Sequence, residues 1–342
     1  MTRPSYDFAS ATFFFFKAFA RRPMGVLWIG LIQIALYTAL TVWSFAMFGP
    51  LFELLIEAAG QSREPDDAEV LAVMGGAFVQ IPLLIFLSLA VVVMIQGAWL
   101  RLLTRDEIAA GIPLRFGFDE LRLVGVNLCF IVLGWLGYLA AFIIVLAVGA
   151  AGVGATAATD GSIWTALGGG LVAFVFVIAG MVLAIYFALR FAAAPALSIA
   201  QKRFRLFGAF AASRDVFGWM LVSYIVLLLV WIVGVIAVSV VQQVVALAMI
   251  GGAMGELMAL GQMSDADPAQ VAEALSAIIT SPGLIAGLIV SVIIWMAFQI
   301  VFEGLWHGVG AYVAVRHTGG DAAEPEDISA PAESVGESPS EG

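Results

Sequence analysis

The polar residues that could do chemistry in this chain are few, and three of them share one face of its last apolar stretch. Gln299, Glu303 and His307 are spaced four residues apart, which places them on one stripe of a helix. An ionisable group at membrane depth is costly unless it is paired or hydrated, so such groups mark candidate functional sites. A carboxylate beside an imidazole could exchange a proton or line a polar cleft.

Two further polar residues are expected at a similar depth. Arg190 ends one apolar stretch and Gln96 lies near the end of another. Glu303 follows the outer end of its own stretch by about 20 residues, or roughly 30 Å of helix. The preferred interpretation is an Arg190–Glu303 ion pair that fixes helix packing at the inner end of the bundle. Two alternatives stay open. One is proton or substrate coupling through Glu303 and His307, and the other is extension of each charged group separately towards water.

The elements that must hold these residues are membrane-spanning helices. Hydrophobic residues make up 62% of the chain and charged residues only 12%, far from the mix of a soluble domain. The apolar stretches are longer than barrel strands, so the fold class is all-α, a polytopic transmembrane helix bundle. Six spans are predicted, at about 25–48, 77–100, 123–148, 167–189, 219–250 and 284–315. A short helix capped by Asp267 is predicted in the loop before the last span.

The distribution of charge predicts how the spans cross the membrane. All Lys and Arg residues except Arg63 fall on one side of the six spans, although the whole chain carries a net charge of −10. Because basic residues concentrate in cytoplasmic loops, both termini are expected in the cytoplasm and the protein in a bacterial inner membrane. The basic inner face suits anionic lipid headgroups. The acidic segment 318–342 is expected to be a disordered tail.

A basic, Phe-rich segment precedes each pair of spans and suggests an internal repeat. These segments end at Arg22, Arg122 and Arg214 in turn. The pattern predicts three helical hairpins in units of about 1–100, 101–200 and 201–317, each with a cytoplasmic interfacial helix before it. The alternative explanation is the general tendency of membrane proteins to gather charge at cytoplasmic span ends.

Charged residues in these segments are candidates for surface contacts. The candidates for lipid headgroups are Lys17, Arg21, Arg22, Lys202, Arg203 and Arg205. Their alternative role is to set the orientation of the spans, without binding a particular headgroup. Glu120 belongs to another cluster, in which local surface pairs are expected between Arg115 and Asp119 and between Asp119 and Arg122.

The segment that joins the fourth and fifth spans carries a family resemblance. Its pattern R-x4-P-x6-KRFRLF-x5-S-x5-W contains Arg190, Pro195, Ser213 and Trp219, and GIPLRFGFDELRL lies upstream. This resembles uncharacterised alphaproteobacterial six-span membrane proteins, which are similar in turn to the membrane region attached to some glycerophosphodiester phosphodiesterases. The resemblance implies a membrane fold up to about residue 317. It carries over no catalytic residue, and the soluble barrel of those enzymes has no counterpart in this sequence.

These features favour a membrane module of unassigned activity that interacts with lipids, with other membrane proteins or with further copies of itself. The alternative is a small transporter or lipid-handling protein that uses a polar cleft near Arg190, Glu303 and His307. The sequence predicts no catalytic constellation, cofactor, metal site or nucleic-acid partner, and its two histidines argue against a His-rich metal site. The single cysteine, Cys129, lies in an apolar span and cannot form an intramolecular disulfide.

Overall fold

The protein is a bundle of long α-helices with short helices at one end. The computed structural model describes residues 5–60, 63–108, 111–158, 163–261 and 281–319, and regular structure in these ranges is entirely helical. The helices are α1 Phe8–Thr12, α2 Phe14–Arg21, α3 Pro23–Gly60, α4 Asp67–Arg105, α5 Phe118–Ala158, α6 Ile163–Phe191, α7 Ala194–Ala200, α8 Gly208–Ser213, α9 Phe217–Gly261 and α10 Pro282–Thr318. Six of them, α3 to α6, α9 and α10, are long and apolar enough to cross a membrane. The all-α class with six candidate spans is therefore confirmed.

The long helices run past the ends expected from hydropathy. α5 continues through small residues to Ala158, past the predicted end of its span at about residue 148. Alanine is the best helix former, and the alanines of this run offset the low helix propensity of its glycines. α3 passes through Pro50 and α4 through Pro82 without ending. Hydropathy thus marks the apolar part of each helix, whereas backbone hydrogen bonding sets where the helix stops.

Local side-chain chemistry accounts for the helix starts outside the apolar region. Asp66 forms a capping box with Glu69 at the start of α4, so two backbone N–H groups are satisfied. Ser281 accepts a hydrogen bond from the backbone N–H of Leu284, and Pro282 occupies the first position of α10. These caps fix where the two helices begin.

Consecutive long helices pack against each other most extensively. The closest pairs are α3 with α4, α5 with α6, and α9 with α10. α10 also contacts α1, α2, α3, α4, α7 and α8, so it joins most of the bundle. The pairing agrees with three successive hairpins, while their relation as repeat units stays a prediction.

The buried core lies at one end of the bundle. It includes the part of α4 between Val91 and Leu103, the part of α10 between Ile300 and Ala314, and the whole of α7. Large apolar side chains along α5 and α6 are mostly exposed, for example Phe142 and Phe174. Lipid supplies no hydrophobic drive to bury such residues, so packing is concentrated where the chain leaves the spans.

The Phe-rich start of the chain forms two short helices, with a break at Phe13, where the sequence predicts a single helix. Both pack against α10. Phe15 is buried, lies against Gly304 and meets the Trp99 ring edge-on with 5.7 Å between ring centroids. The opposite side exposes Phe13, Phe16 and Phe19. One face thus anchors the segment in the core, and its location at the membrane interface stays a prediction.

Two predicted features, the acidic tail from residue 320 onward and the short helix after Asp267, lie outside the described residues.

Glycines of α10 allow helix backbones to approach closely at the end of the bundle that holds the buried core. This end is called the base. A Cβ atom at Gly310 would lie 2.7 Å from the carbonyl oxygen of Ala192, just before α7. At Gly308 it would lie 3.2 Å from the backbone nitrogen of Phe15. Small residues serve this purpose in membrane helices, because close approach increases the van der Waals contact that holds them together.

We expect Gly310→Ala to destabilise the protein by about 1–3 kcal/mol, because the added methyl must push away a backbone carbonyl. The measurement is thermal unfolding of the purified chain in detergent. Gly134→Ala is the matched control, since nothing lies within 4 Å of its Cβ position in α5. It should leave the unfolding temperature unchanged or raise it slightly. Equal effects of the two substitutions would contradict close packing at Gly310.

Candidate functional site

The Glu303 carboxylate is held at the inner part of the bundle by residues from two helices. Gln33 of α3 donates from Nε2 to Glu303 Oε2 over 2.6 Å. His307, one turn further along α10, places Nε2 3.6 Å from Glu303 Oε1. The predicted Glu303–His307 neighbourhood is therefore present. Gln299 is half-buried one turn away in the other direction.

Gln33 is the residue that sequence reasoning missed. Only 1% of it is exposed, and its Oε1 accepts a hydrogen bond from Trp99 Nε1 over 3.0 Å. One buried amide thus links α3, α4 and α10, with both its donor and its acceptor in use. The available signal was a single amide inside the apolar run WIGLIQIAL, since a buried polar side chain requires partners.

The arrangement leaves the carboxylate accessible. The side chain of Glu303 is 26% exposed and that of His307 is 17% exposed, whereas Phe15 and Trp99 close the neighbouring core. A partly exposed carboxylate with an imidazole beside it can accept a proton or a hydrogen bond from a polar ligand. Gln33 orients the carboxylate by holding one oxygen and leaving the other towards His307.

Arg190 does not reach Glu303, so the predicted ion pair is wrong. The Arg190 guanidinium lies over the rings of Tyr186 and Phe217, 5.2 and 5.0 Å from their centroids. The reason is that the two side chains point in different directions. Glu303 faces α3, whereas Arg190, at the end of α6, faces the start of α9. Similar depth in two spans does not fix the side of the helix on which each residue lies.

Gln96 also lies apart from the carboxylate. Its Oε1 accepts a hydrogen bond from Asn127 Nδ2 over 2.8 Å, which joins α4 to α5. The five residues predicted as one polar cluster therefore occupy three places. Gln299, Glu303 and His307 share a stripe of α10, while Gln96 and Arg190 each have a different environment.

A buried ion pair joins α4 to the start of α5. Arg101 donates from Nη1 to Glu120 Oε1, and 4% and 1% of the two side chains are exposed. Glu120 Oε2 also accepts from the Gly117 backbone N–H over 2.9 Å. Arg101 Nη2 lies 3.4 Å from the carbonyl oxygen of Pro113. The pair fixes the loop between the two helices.

The ion-pair contacts of Asp119 agree only in part with the predicted surface pairs. The predicted contact with Arg122 is present at 2.5 Å, and Arg105 of α4 adds a second at 2.9 Å. Arg115 is exposed and is not an ion-pair partner of Asp119. Glu120 was expected at the surface and is buried instead, because it faces Arg101 across the interface between α4 and α5. Helical spacing alone omits partners from another helix.

A hydroxyl cluster fastens α1 to α9. The hydroxyl of Ser223 lies 3.0 Å from those of both Tyr6 and Thr12, and Thr12 donates to the Phe8 carbonyl over 2.8 Å. Burial raises the pKa of Tyr6 to about 12, although the hydrogen bond to Ser223 acts in the opposite direction. The Tyr6 phenol is therefore neutral at physiological pH and serves as a hydrogen-bonding group.

The basic residues predicted to meet lipid headgroups are exposed. Lys17 donates to Ser10 Oγ over 2.8 Å, and Arg22 lies 3.2 Å from Asp106 in an exposed ion pair. All six residues of the predicted set are exposed: Lys17, Arg21, Arg22, Lys202, Arg203 and Arg205. Exposure is what a contact with lipid headgroups requires of them.

No family model, curated protein sequence or solved structure matches this chain. In the described part of the chain, no three His, Cys, Asp or Glu side chains are grouped so that they could hold a metal ion. Function must therefore be argued from the polar and charged side chains at the base of the bundle.

We expect Glu120→Leu to cost about 3–5 kcal/mol of stability, because it leaves the buried Arg101 charge without its counter-ion. Arg101→Met should cost a similar amount, and the double variant Arg101→Met/Glu120→Leu should recover much of the loss. Thermal unfolding in detergent measures all three.

The control for this cycle is Asp106→Asn, which breaks the exposed pair with Arg22 and should cost less than about 1 kcal/mol. Additive losses in the double variant would show that Arg101 and Glu120 do not act as a pair.

Proposed function

We propose that this chain is a multi-pass protein of a bacterial inner membrane, with cytoplasmic termini, whose basic inner face binds anionic lipid headgroups. The positions of Lys and Arg relative to the six spans support this orientation. Another membrane protein or a second copy of the chain is the alternative partner for the same face. The resemblance to the membrane region of some glycerophosphodiester phosphodiesterases belongs to this proposal as a likeness of fold, without an activity.

One observation carries the proposal: exposed aromatic and basic side chains alternate in three surface patches at the base. Patch 1 comprises Phe13, Phe16, Lys17, Phe19 and Arg21. Patch 2 comprises Arg115, Phe116 and Phe118. Patch 3 comprises Lys202, Arg203, Phe204, Arg205 and Phe207. Aromatic rings favour the headgroup level and cations favour anionic phosphates, so each patch suits a membrane surface.

Each patch precedes one of the three helix pairs, which also supports the proposed repeat. Patch 1 leads into α3, patch 2 into α5 and patch 3 into α9 by way of α8. Phe204 of patch 3 packs beside Gly125 of α5, so patch 3 is fastened to the second hairpin as well as to the third. The inner face would then hold the three hairpins at one depth by contact with the same layer of headgroups.

We expect the variant Lys202→Gln/Arg203→Gln/Arg205→Gln to bind phosphatidylglycerol about 100-fold more weakly, because each cation near an anionic surface contributes about 1 kcal/mol. The binding is measured by titrating the lipid into the purified chain in neutral detergent. Added salt should weaken binding by the wild-type chain more than by the variant.

The matched control for this titration is Arg63→Gln, which removes the one basic residue predicted on the opposite face. It should leave the affinity unchanged. Unchanged affinity in the triple variant would overturn the proposal that patch 3 binds anionic headgroups.

A second candidate function is lipid handling or transport of a small solute through the Glu303 region. The observation that favours it is the accessible carboxylate, held by buried Gln33 and flanked by His307. A carboxylate at this depth that gains and loses a proton could couple proton movement to the passage of a ligand.

For this second function we expect a hydrophobic carbodiimide to modify Glu303, since such reagents reach carboxyl groups from the membrane and react with their protonated form. Peptide mass spectrometry should find the adduct on Glu303. Glu120 is the internal control, because it is buried against Arg101 and should stay unmodified. Equal labelling of Glu120, or none at Glu303, would count against an accessible proton-binding site.

A further inference from the structure

Arg190 lies in a niche with aromatic walls at the inner end of α6. Its guanidinium is 5.2 Å from the Tyr186 ring and 5.0 Å from the Phe217 ring, while the two rings are 5.3 Å apart and inclined by 51°. Cation–π attraction holds the guanidinium beside these rings. The rings come from α6 and from the start of α9, so the niche lies where these two helices meet.

The hydrogen-bonding edge of Arg190 is unused within the described part of the protein. Its Nε is buried and donates to no acceptor. No carboxylate of the described residues lies within ion-pair distance of the guanidinium, which instead lies over the two aromatic rings. An arginine has five N–H donors arranged to match an oxyanion. The niche therefore stabilises a cation and leaves its anion-binding edge unoccupied.

The surroundings of the niche suit a phospholipid. α6 and α9 touch only slightly, and the apolar side chain of Phe187 is exposed beside the Tyr186 ring. Trp219, in the first turn of α9, is exposed at the same level, and Arg214 lies exposed one turn before Phe217. A headgroup at Arg190 would thus have apolar helix surface next to it for an acyl chain.

We propose that Arg190 binds a phosphate oxyanion, with the guanidinium edge donating to two of its oxygens and Tyr186 and Phe217 fixing the plane of the guanidinium. This rests on the proposed contact between the inner face and lipid headgroups, and it adds one defined site to that contact. The phosphate belongs either to a lipid headgroup or to free phosphate. Both sources present the same tetrahedral oxygens.

The site requires arginine rather than any cation. A lysine at this position would keep the charge but lose both the planar donor edge and the stacking on the rings. A purely electrostatic contact would tolerate Arg190→Lys, whereas a built phosphate site would not. This difference separates the site from the distributed attraction of patch 3.

The test is native mass spectrometry of the full chain in neutral detergent, with phosphatidylglycerol, phosphatidylcholine or inorganic phosphate added as the probe. We expect the wild-type chain to retain one phospholipid at concentrations too low to fill the weaker sites. Arg190→Gln should weaken that retention at least about tenfold, and Arg190→Lys should weaken it nearly as much. Phe217→Leu, which keeps an apolar side chain but removes one ring, should weaken it by a smaller factor.

The control Arg205→Gln should leave the single retained lipid in place, although it lowers the salt-sensitive binding of further phosphatidylglycerol. Loss of that salt-sensitive binding only in the patch 3 variants would support the proposed function independently of Arg190. If inorganic phosphate binds in an Arg190-dependent way and the lipids do not, the source is free phosphate. Retention at wild-type strength in folded Arg190→Gln would overturn the site.

Discussion

The lack of a hydrophobic driving force between helices in lipid is the constraint on which this structure depends. Apolar side chains on α5 and α6 gain nothing by leaving lipid, so they stay exposed, and cohesion must come from close contact and polar bonds. Both are concentrated at the base. Gly308 and Gly310 bring α10 against α2 and the entry to α7, while α7 itself is completely buried. The spans are thus held together from the end of the bundle that holds the buried core.

Polar bonds at the base join different helices and do not duplicate each other. Gln33 links α3, α4 and α10, whereas the Arg101–Glu120 pair links α4 to α5, and Ser223 fastens α1 to α9. Each lies in surroundings where an unmade bond is expensive, so each specifies one arrangement of its helices. The short N-terminal helices belong to this framework, because Phe15 packs against the same Trp99 that donates to Gln33.

Hydropathy and charge were enough to predict the six spans, because span length and composition are properties of each segment alone. Partners across helices were harder to predict. Arg190 and Glu303 have similar depth, but only packing decides that one faces Phe217 and the other Gln33. Glu120 has no basic residue at helical spacing, and its actual partner Arg101 comes from the preceding helix. Gln33 was overlooked because a single amide in an apolar run has no spacing pattern.

Because Arg190 and Glu303 lie apart, each can bind a ligand, whereas an ion pair between them would have left little affinity for one. Had they paired, each would have neutralised the other, and the inner end of the bundle would have had a structural contact with little affinity for ligands. Instead the carboxylate is held by an uncharged amide and the guanidinium by uncharged rings, so neither charge is balanced by the residue that positions it. A charge that is oriented but not neutralised attracts ions or protons from its surroundings. The base therefore has a carboxyl group facing α3 and a guanidinium facing α9. Each is positioned by an uncharged partner, which makes both of them candidates for binding.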